Sequence, residues 1–310
     1  MHNYCSIASR EYIHKILLLY DSLLEHDNNF RFFIICMSKE TKALLNDLKL
    51  EKAVLLTIDQ IERTDTQLAA VKSQRNEKEY AWTSKASVFL YLFRNYSDVE
   101  HLLWLDGDIV FYSSPEPIFQ ELKQCSLLLT RERFKGENKK LDNVYGIYNT
   151  GLMGLKRDKE AMGFIKWYRR KCLEWCYDQV TPSRFGDQKY LEVIGKRNTG
   201  IYISKSKTTN AAMWNMEDSR IETSEGQVYI DGKKLIFYHF SSFFILSENE
   251  FDLWMWEQPK LDEKIKEAVY FPYVKAIKGA IELMKTKEKD ISQFISKYYD
   301  REAAGNYLIM

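Results

Sequence analysis

The chain has 310 residues, of which 45% are hydrophobic and 14% aromatic, so it can build a sizeable core. Its 45 lysine and arginine residues nearly match its 44 aspartate and glutamate residues, which leaves a formal net charge of +1. A near-neutral balance argues against dedicated nucleic-acid binding, because such proteins carry a strongly basic domain or stripe. The composition therefore predicts a globular protein with no nucleic-acid partner.

The N-terminus and the cysteines bear on the compartment in which the protein works. The first ten residues, MHNYCSIASR, lack a basic segment followed by an apolar one, and the longest apolar run near them, 16–19, is far too short to span a membrane. Five cysteines without close pairing indicate a reducing environment, so we predict a cytoplasmic protein. Cys172 and Cys176 share an apolar helical face and are interpreted as core residues, with a metal or redox pair as the alternative.

Strand and helix signals alternate along the first half. Short apolar runs predict strands at 4–8, 30–37, 53–58 and 102–105. Apolar residues at helical spacing predict helices at 13–24, 43–48 and 82–93. Strands separated by helices imply βαβ units, and hence an α/β fold with a mainly parallel central sheet and helices on both faces.

The second half is less regular. Apolar runs predict strands at 126–130, 148–155, 201–204, 228–230 and 235–238, and helical spacing predicts one long helix at 160–177. Asp231-Gly232 lies between the last two strands and predicts a hairpin that joins them. The polar stretch 131–146 has few apolar anchors and predicts a mobile loop over a site.

The tail from about Leu261 has a different pattern. Two helical faces are apolar, one with Val274, Ile277, Ile281 and Met284 and one with Ile291, Phe294, Ile295 and Tyr298. Seven lysines make the tail basic: Lys264, Lys266, Lys275, Lys278, Lys285, Lys287 and Lys289. We predict a helical C-terminal appendage at 259–310 after a first domain at 1–258. The alternative to a solvated basic face is peripheral contact with the inner face of an anionic membrane or with a lipid-linked acceptor.

The segment Asp106-Gly107-Asp108 carries the strongest chemical signal in the sequence. It follows the predicted strand 102–105, so both carboxylates lie where a buried strand ends. Two bare carboxylates on one side of the chain repel each other, and an unpaired buried charge is costly. A divalent cation relieves both problems, since oxygen ligands suit Mg²⁺ or Mn²⁺ and Gly107 lets the backbone turn tightly. The alternative is a turn with two solvated acids.

A longer pattern surrounds this segment. Residues 104–122, WLDGDIVFYSSPEPIFQEL, are followed in order by YNTGLM (148–153), FGDQKYL (185–191) and YHF (238–240). Together these segments resemble the core of GT-A glycosyltransferases, and most of all the retaining glycogenin-like and lipopolysaccharide galactosyltransferase group. They are also similar to bacterial nucleotide-diphospho-sugar transferases that carry the FGDQKYL and WN segments. The resemblance covers much of residues 4–243, and it makes 1–258 the catalytic domain.

The resemblance implies a role for each matching residue. Asp106 and Asp108 would hold a Mn²⁺ or Mg²⁺ ion that bridges the two phosphates of the donor, with His239 as a third ligand. Lys85 would face the diphosphate or the donor sugar. The remaining implied contacts are to the nucleotide base (Ala8, Ser9 and Tyr12), to the donor sugar (Asn149, Asp187 and Gln188) and to the acceptor side (Asn210, Trp214 and Asn215).

Four of these residues have an alternative interpretation that needs no ligand. His239 ends an apolar strand and is also typical of a packed, hydrogen-bonded core histidine. Asp187 precedes a predicted helix start and is also suited to cap it. Trp214 also fits ordinary core packing, and Lys85 also fits a solvated helix position.

The sequence departs from the glycogenin-like group directly after His239. It reads FSSF (240–243), whereas the group has a small residue followed by Gly, Lys and Pro, and that lysine grips the diphosphate. Another residue must therefore hold the leaving group, or phosphate binding is weaker.

These observations predict an enzyme. We expect a metal-dependent glycosyltransferase that moves a sugar from a nucleotide-diphosphate sugar to a hydroxyl-bearing glycan or lipid-linked acceptor, in bacterial surface polysaccharide or glycan synthesis. Retention of the anomeric configuration is favoured by resemblance alone. Asp187 and Gln188 are the candidate catalytic residues, and Asp187 is the candidate base if the reaction inverts.

Two rival functions remain open from the sequence. A sugar-1-phosphate nucleotidyltransferase would need a Gly-rich, basic loop after the first strand, and residues 6–12 contain no glycine. A non-catalytic nucleotide-sugar-binding protein is disfavoured by the intact set of Asp106, Asp108 and His239.

Overall fold

Short strands and helices alternate along the chain. The computed structural model describes residues 1–194, 200–288, 290–296 and 306–310. The strands in these residues are β1 (His2–Ala8), β2 (Phe30–Cys36), β3 (Ala53–Thr57), β4 (His101–Leu105), β5 (Ile109–Phe111), β6 (Leu127–Arg131), β7 (Tyr148–Lys156), β8 (Ile201–Ile203), β9 (Ile221–Ser224), β10 (Gln227–Ile230), β11 (Lys233–Lys234), β12 (Phe237–His239), β13 (Phe244–Ile245), β14 (Glu250–Asp252) and β15 (Tyr307–Ile309). The α-helices are α1 (Ile13–His26), α2 (Lys39–Asp47), α3 (Ile58–Glu62), α4 (Thr66–Val71), α5 (Glu77–Asn95), α6 (Glu116–Leu122), α7 (Asp142–Tyr145), α8 (Lys159–Glu174), α9 (Glu263–Ile265) and α10 (Phe271–Lys285). Shorter turns of 3₁₀ helix lie at Arg10–Tyr12, Lys72–Gln74, Gly136–Leu141, Lys189–Val193, Met213–Asn215 and Ser292–Phe294, and a π-helical turn at Lys266–Tyr270.

The chain forms two compact units. The first contains Met1–Ser9, Asn29–Asp106 and Glu116–Lys205, and the second contains Arg10–Asn28, Gly107–Pro115 and Ser206–Met310. The tail after residue 258 therefore belongs to the same unit as α1 and β5. The division into a catalytic domain at 1–258 and an appendage at 259–310 stays a prediction.

The first unit is built around a seven-stranded sheet in the order β3-β2-β1-β4-β7-β6-β8. Strands β3, β2, β1 and β4 are all parallel, and β6 is parallel to β8. Strand β7, between β4 and β6, is antiparallel to both of them. The predicted α/β fold with a mainly parallel sheet is therefore confirmed. Strands β1 and β4 end at the same edge of this sheet, which is where open α/β sheets bind ligands.

Helices cover both faces of this sheet. Helices α5 and α8 pack on one face, where their apolar residues form one core cluster with Phe33, Trp104 and Met153 of the strands. Helix α6 lies on the opposite face, where the Phe119 ring meets the Tyr4 ring edge to face at 5.5 Å between centroids. Each fully buried side chain of this size stabilises the fold by about 1.5–3 kcal/mol.

The cysteines take part in this packing. All five are free thiols and buried, and Cys172 and Cys176 belong to the core cluster of the first unit. Burial raises the pKa of Cys172 well above its ordinary value, so the thiol stays protonated and unreactive. The structure therefore supports the core interpretation of this pair.

Helix α5, which carries Lys85, begins with a reciprocal cap. Asn76 Oδ1 accepts a hydrogen bond from Glu79 N at 2.9 Å, and Glu79 Oε2 accepts one from Asn76 N at 3.0 Å. Such a capping box satisfies two amide groups that a first turn leaves without partners, which stabilises the start of the helix.

The second unit is built on α1, α10 and several short strands. Helix α1 packs against α10 and against β5. Strand β5 pairs antiparallel with β12, so that Ile109 lies opposite His239. This pairing brings His239 beside the start of β5, directly after Asp108.

One predicted strand pairing is wrong. The turn at Asp231-Gly232 forms as predicted, with φ angles of 51° and 75°, but the strand that returns from it is β11, which pairs with β10. The predicted strand 235–238 corresponds to β12, and it pairs with β5 instead. An Asp-Gly dipeptide determines the turn, whereas the pairing of the next strand depends on burial, and Phe237 and Tyr238 are fully buried in this position.

Two other segments differ from their predictions. The predicted loop 131–146 contains the 3₁₀ helix Gly136–Leu141 and α7. The second predicted helix of the tail is, within the described residues, only the 3₁₀ turn Ser292–Phe294. Tyr298 and Lys289, which belong to the predicted tail helix and its basic face, lie outside the described residues.

The basic tail has acidic partners close by. Lys266 forms an ion pair with Glu263, and Lys285 forms ion pairs with both Glu248 and Glu282. Part of the positive charge is thus neutralised locally, and contact with a membrane stays a prediction. Along the described stretches of chain, no helix combines the length and the apolar character needed to cross a bilayer.

His14 of α1 is a buried histidine whose ring lacks hydrogen bonds. The residue is 2% exposed, and neither ring nitrogen has a hydrogen-bond partner among the described residues. Burial, with a smaller contribution from the charge of Lys15, lowers the pKa of His14 from 6.5 to about 3. The folded chain therefore holds this residue neutral at pH values at which the unfolded chain protonates it.

We expect the protein to lose stability as the pH falls below about 6.5. Between pH 6.5 and pH 3 the unfolded chain binds one more proton at His14 than the folded chain does, so the free energy of unfolding falls by about 1.4 kcal/mol per pH unit. From pH 7 to pH 5 we expect the free energy of unfolding to fall by about 2 kcal/mol, which urea unfolding at the two pH values measures. The His14→Phe variant should lose about that much less over the same interval. An identical pH dependence in both proteins would contradict this assignment.

Candidate active site

The turn between β4 and β5 carries the two predicted metal ligands Asp106 and Asp108. Asp106 N donates to Gly151 O at 2.8 Å, and the Trp104 Nε1 donates to Asp106 Oδ1 at 2.7 Å. These bonds hold the Asp106 carboxylate at the end of β4, with its side chain 30% exposed. The predicted position of Asp106 after a buried parallel strand is therefore confirmed.

Lys85 lies at the centre of a buried charged network in the first unit. Its side chain is 1% exposed, and its Nζ lies 2.9 Å from Asp187 Oδ2 and 3.7 Å from Asp106 Oδ1. It also donates to Thr150 O at 3.0 Å. Burial opposes the charge, but the carboxylates of Asp106 and Asp187 outweigh it and raise the pKa of Lys85. The structure therefore rules out a solvated helix position for this residue.

The Asp187 carboxylate is shared by three donors. Lys85 and the Tyr168 hydroxyl both reach Oδ2, at 2.9 and 2.7 Å, and the Thr150 hydroxyl donates to Oδ1 at 3.3 Å. Burial and the charge of Asp187 raise the pKa of Tyr168 well above its ordinary value, so its hydroxyl remains a donor. Both oxygens of this carboxylate are thus already engaged by protein donors. The geometry favours a role for Asp187 as the charge partner of Lys85 over the predicted roles of base and helix cap.

Glu132 joins the predicted donor-sugar residues Asn149 and Gln188, although no sequence pattern marked it. Gln188 Nε2 and Asn149 Nδ2 both donate to Glu132 Oε1, at 2.7 and 3.0 Å. Both amides are themselves oriented by backbone groups, since Gly151 N donates to Asn149 Oδ1 and Thr150 N to Gln188 Oε1. The one sequence feature that could have marked Glu132 is its position directly after β6, just as Asp106 directly follows β4.

His239 bridges two side-chain oxygens in the second unit. Its Nε2 lies 3.1 Å from Asp108 Oδ1, and its Nδ1 lies 3.1 Å from Asn210 Oδ1. In the neutral ring, donation from Nδ1 to Asn210 turns the lone pair of Nε2 toward the Asp108 carboxylate. A proton or a metal ion between these two electron-rich atoms relieves their repulsion. Metal-binding histidines are commonly held in this way, with the second ring nitrogen donating to an oxygen.

Asp108 stays ionised although its side chain is only 14% exposed. Burial raises its pKa, but the charge and hydrogen bond of His239, together with the charge of Lys15, hold the pKa of Asp108 well below its ordinary value. A carboxylate oxygen and an imidazole nitrogen are suitable ligands for Mn²⁺. The two side chains therefore fit a divalent cation.

The complete ligand set stays a prediction. Over the described ranges, no group of three or more His, Cys, Asp or Glu side chains is arranged to hold a metal ion. The structure brings Asp108 and His239 together, and it pairs Asp106 with Trp104 and Lys85.

The predicted acceptor-side residues Asn210, Trp214 and Asn215 cluster around His239. The Trp214 ring meets the His239 ring edge to face, with 5.4 Å between centroids. Asn215 Nδ2 donates to Asn210 O at 3.0 Å, and its Oδ1 accepts from Ala212 N at 3.1 Å, which braces the left-handed backbone of Asn210 at φ 56°. These residues support the histidine, and their contact with an acceptor stays a prediction.

The residues predicted to lie near the nucleotide base occupy the end of β1 and the turn that follows. Ala8 is the last residue of β1 and is buried, and Ser9 follows it. Tyr12 precedes α1 and is 42% exposed, with Lys15 Nζ at 4.6 Å from its ring centroid. An aromatic ring with this much exposed surface can stack on a planar base.

The architecture is that of the GT-A glycosyltransferases. LgtC, described as a galactosyltransferase and solved with donor and acceptor sugar analogs, superposes with a TM-score of 0.51 at 16% identity, over 77% of this chain and 87% of that one. An active-site mutant of LgtC superposes with a TM-score of 0.55 at 13% identity, over 98% of this chain and 99% of that one. The glycosyltransferase GlyE of Streptococcus pneumoniae TIGR4 superposes with a TM-score of 0.52 at 14% identity, over 96% of this chain and 66% of that one. The fold implied by the sequence resemblance is therefore confirmed.

Sequence comparison identifies relatives of the whole chain. No family model matches it. It is 32% identical over 299 residues to YfnD of Bacillus subtilis (strain 168), which covers 96% of this chain and 95% of YfnD. It is 29% identical over 301 residues to YfnF of the same strain, an alignment that covers 95% of this chain and 97% of YfnF. Both relatives are described as uncharacterized. The chain belongs to the family of YfnD.

We expect His239→Ala to weaken Mn²⁺ binding by about tenfold or more, because loss of a direct ligand should exceed the roughly 10- to 100-fold losses caused by supporting residues. Isothermal titration calorimetry with Mn²⁺ measures the effect. Asn210→Ala, which removes the hydrogen bond that orients the ring, should cost less, and His26→Ala serves as the control in the same unit. Equal Mn²⁺ affinity in wild type and His239→Ala would make His239 an ordinary core residue.

Proposed function

We propose that the protein is a metal-dependent glycosyltransferase that moves a sugar from a nucleotide-diphosphate sugar to a hydroxyl group of a glycan or lipid-linked acceptor. The observation that carries this proposal is the pair formed by Asp108 and His239, whose oxygen and nitrogen face each other at 3.1 Å in a protein of GT-A fold. A Mn²⁺ or Mg²⁺ ion bound there, with Asp106 as a further ligand, would offset the negative charge of the donor diphosphate.

Glu132, Asn149 and Gln188 support binding of the donor sugar. Their side chains form a buried, pre-oriented network in the first unit, in which two amides converge on one carboxylate oxygen. Sugar hydroxyl groups are hydrogen-bond donors, and a carboxylate accepts them strongly. Glycosyl transfer also develops positive charge on the sugar ring, which a nearby carboxylate stabilises.

Lys85 and Asp187 act as positioning residues in this proposal. Two carboxylates neutralise Lys85, at 2.9 and 3.7 Å, and it helps to fix the position of the Asp106 carboxylate at the end of β4. A lysine balanced in this way has little charge left to offer to a phosphate. Its contribution is therefore to fix Asp106 rather than to grip the donor.

The transfer is a substitution at the anomeric carbon of the donor sugar. The bond from that carbon to the β-phosphate oxygen breaks, and its electron pair stays on the phosphate. The acceptor oxygen bonds to the carbon and releases its proton, which a leaving phosphate oxygen takes up. We favour this retaining course because Asp187, the candidate base for inversion, is ion-paired with Lys85. The anomeric configuration of the product, read by proton NMR, tests it.

A panel of nucleotide sugars with Mn²⁺ tests the function itself. A ligand that binds only the folded protein stabilises it by about 2.7 kcal/mol at one hundred times its dissociation constant. We expect one nucleotide sugar to raise the melting temperature in Mn²⁺ but not in EDTA, and to release its nucleoside diphosphate when acceptor glycans are added. Release of pyrophosphate from a nucleoside triphosphate and a sugar-1-phosphate would instead identify a nucleotidyltransferase. Stabilisation without turnover would identify a binding protein.

A further inference from the structure

Lys15 is a buried lysine of the second unit that forms no ion pair within the described residues. It lies in the first turn of α1, it is 8% exposed, and its Nζ lies 4.6 Å from the centroid of the Tyr12 ring. No carboxylate in the described part of the chain forms an ion pair with it, in contrast to Lys85, which pairs with Asp187. Burial lowers the pKa of Lys15 and outweighs the charge of Asp108, which favours the protonated amine. A buried charge without a partner destabilises a fold. Such a lysine is expected where an anionic ligand completes its surroundings.

The start of α1 adds a second source of positive potential. The helix has 14 residues and follows directly on the 3₁₀ turn Arg10–Tyr12, which carries Glu11. No acidic residue lies in the first turn of α1 itself, and the side chain of the N-cap residue, Tyr12, makes no capping hydrogen bond. Amide groups at such a helix start point outward and attract anions, phosphates above all. Lys15 therefore lies at a helix end that already favours negative charge.

Lys15 also lies close to the proposed metal ligands. A Cβ placed on Gly107 would meet Ile16 Cδ1 at 3.0 Å and Tyr12 Cδ1 at 4.0 Å, so the start of α1, which carries Lys15, packs against the turn that carries Asp108. Asp108 nevertheless forms its ion pair with His239 and not with Lys15. Lys15 therefore belongs to the element that packs beside the metal pair, and it forms no ion pair with Asp108.

We propose that Lys15 binds the β-phosphate of the nucleoside diphosphate, a role that rests on the proposed transferase function. The leaving diphosphate gains negative charge as its bond to the sugar breaks, and a cation held at the phosphate stabilises that charge. The residues directly after His239, FSSF, contain no lysine, and Lys85 is neutralised by two carboxylates. Lys15 combines a suitable position with a charge that no ion pair within the described residues neutralises.

The Lys15→Met variant tests this role, because methionine keeps an unbranched apolar stem and removes the charge. Calorimetry in Mn²⁺ first identifies which of UDP, GDP, ADP, CDP and dTDP the wild-type protein binds, and the monophosphate of the same nucleoside is the comparison ligand. We expect Lys15→Met to weaken diphosphate binding by about 10- to 100-fold, the range of a hydrogen bond to a charged group. Monophosphate binding, which lacks the β-phosphate, should change by about threefold at most.

The melting temperature separates this role from a structural one. Removal of an unpaired buried charge should leave the melting temperature of Lys15→Met unchanged or raise it. Lys275→Met, at an exposed position of α10, is the control and should change neither stability nor binding.

Three outcomes would overturn the assignment. Unchanged diphosphate binding in Lys15→Met would refute it and leave the transferase function standing. A lowered melting temperature with equal losses for both nucleotides would make Lys15 a structural residue. A wild-type protein that binds no nucleoside diphosphate would refute the proposed function, and this inference with it.

Discussion

Asp108→Ala should abolish Mn²⁺-dependent binding of the nucleotide-sugar donor while the protein remains folded. Asp108 supplies the anionic half of the pair with His239, and it stays ionised despite its burial. Without it a divalent cation at the proposed site would lose its charged ligand in this unit, and the charge of the donor diphosphate would no longer be offset there. We expect donor affinity to fall by at least about 100-fold, or 2.7 kcal/mol, in calorimetric titrations with Mn²⁺.

Two further variants make this result interpretable. Asp108→Asn keeps the volume of the side chain and an oxygen for His239, so it reports on charge without leaving a cavity. Asp218→Ala removes an exposed carboxylate of the same unit and should bind the donor as the wild type does. Donor affinity in Asp108→Ala equal to that of the wild type would refute the metal site.

Lys85→Met should destabilise the protein by about 3–5 kcal/mol, because it removes one partner of a buried ion pair and leaves the other charge uncompensated. The Asp187 side chain is 3% exposed, and without Lys85 it would keep only the hydroxyls of Tyr168 and Thr150 as side-chain donors in this network. The free energy of unfolding, from urea titration monitored by circular dichroism, measures the loss.

Lys78→Met is the matched control on the same helix. Lys78 pairs with Asp178 at 2.8 Å, but the two side chains are 58% and 40% exposed, so its removal should cost at most about 1 kcal/mol. The double variant Lys85→Met, Asp187→Asn should lose less than the sum of the two single losses, because the orphaned charge disappears with its partner. A cost for Lys85→Met no larger than that for Lys78→Met would show that the buried pair does not stabilise the fold.

Local sequence patterns predicted most of the elements because helix and strand periodicity is a short-range property. The apolar runs that became β1 to β4 and the helical spacing that became α1 and α5 are each complete within about twenty residues. The Asp-Gly-Asp segment was recognisable for the same reason, since its meaning depends on the strand that directly precedes it. Asp231-Gly232 shows the limit, because the dipeptide predicted the turn correctly and the strand pairing incorrectly.

The sequence by itself determined an α/β fold and the location of the aspartate pair, since both follow from neighbouring residues. Only the tertiary structure decided what surrounds each charge. Lys85 meets Asp187, and Glu132 meets Gln188, across separations of 102 and 56 residues, and no local pattern encodes such contacts. Lys85 forms an ion pair with a carboxylate, whereas Lys15 forms none within the described residues, a difference that no reading of their helices could reveal. Burial and charge pairing depend on which distant segments pack together, and this is why the roles of these side chains became visible only in the folded chain.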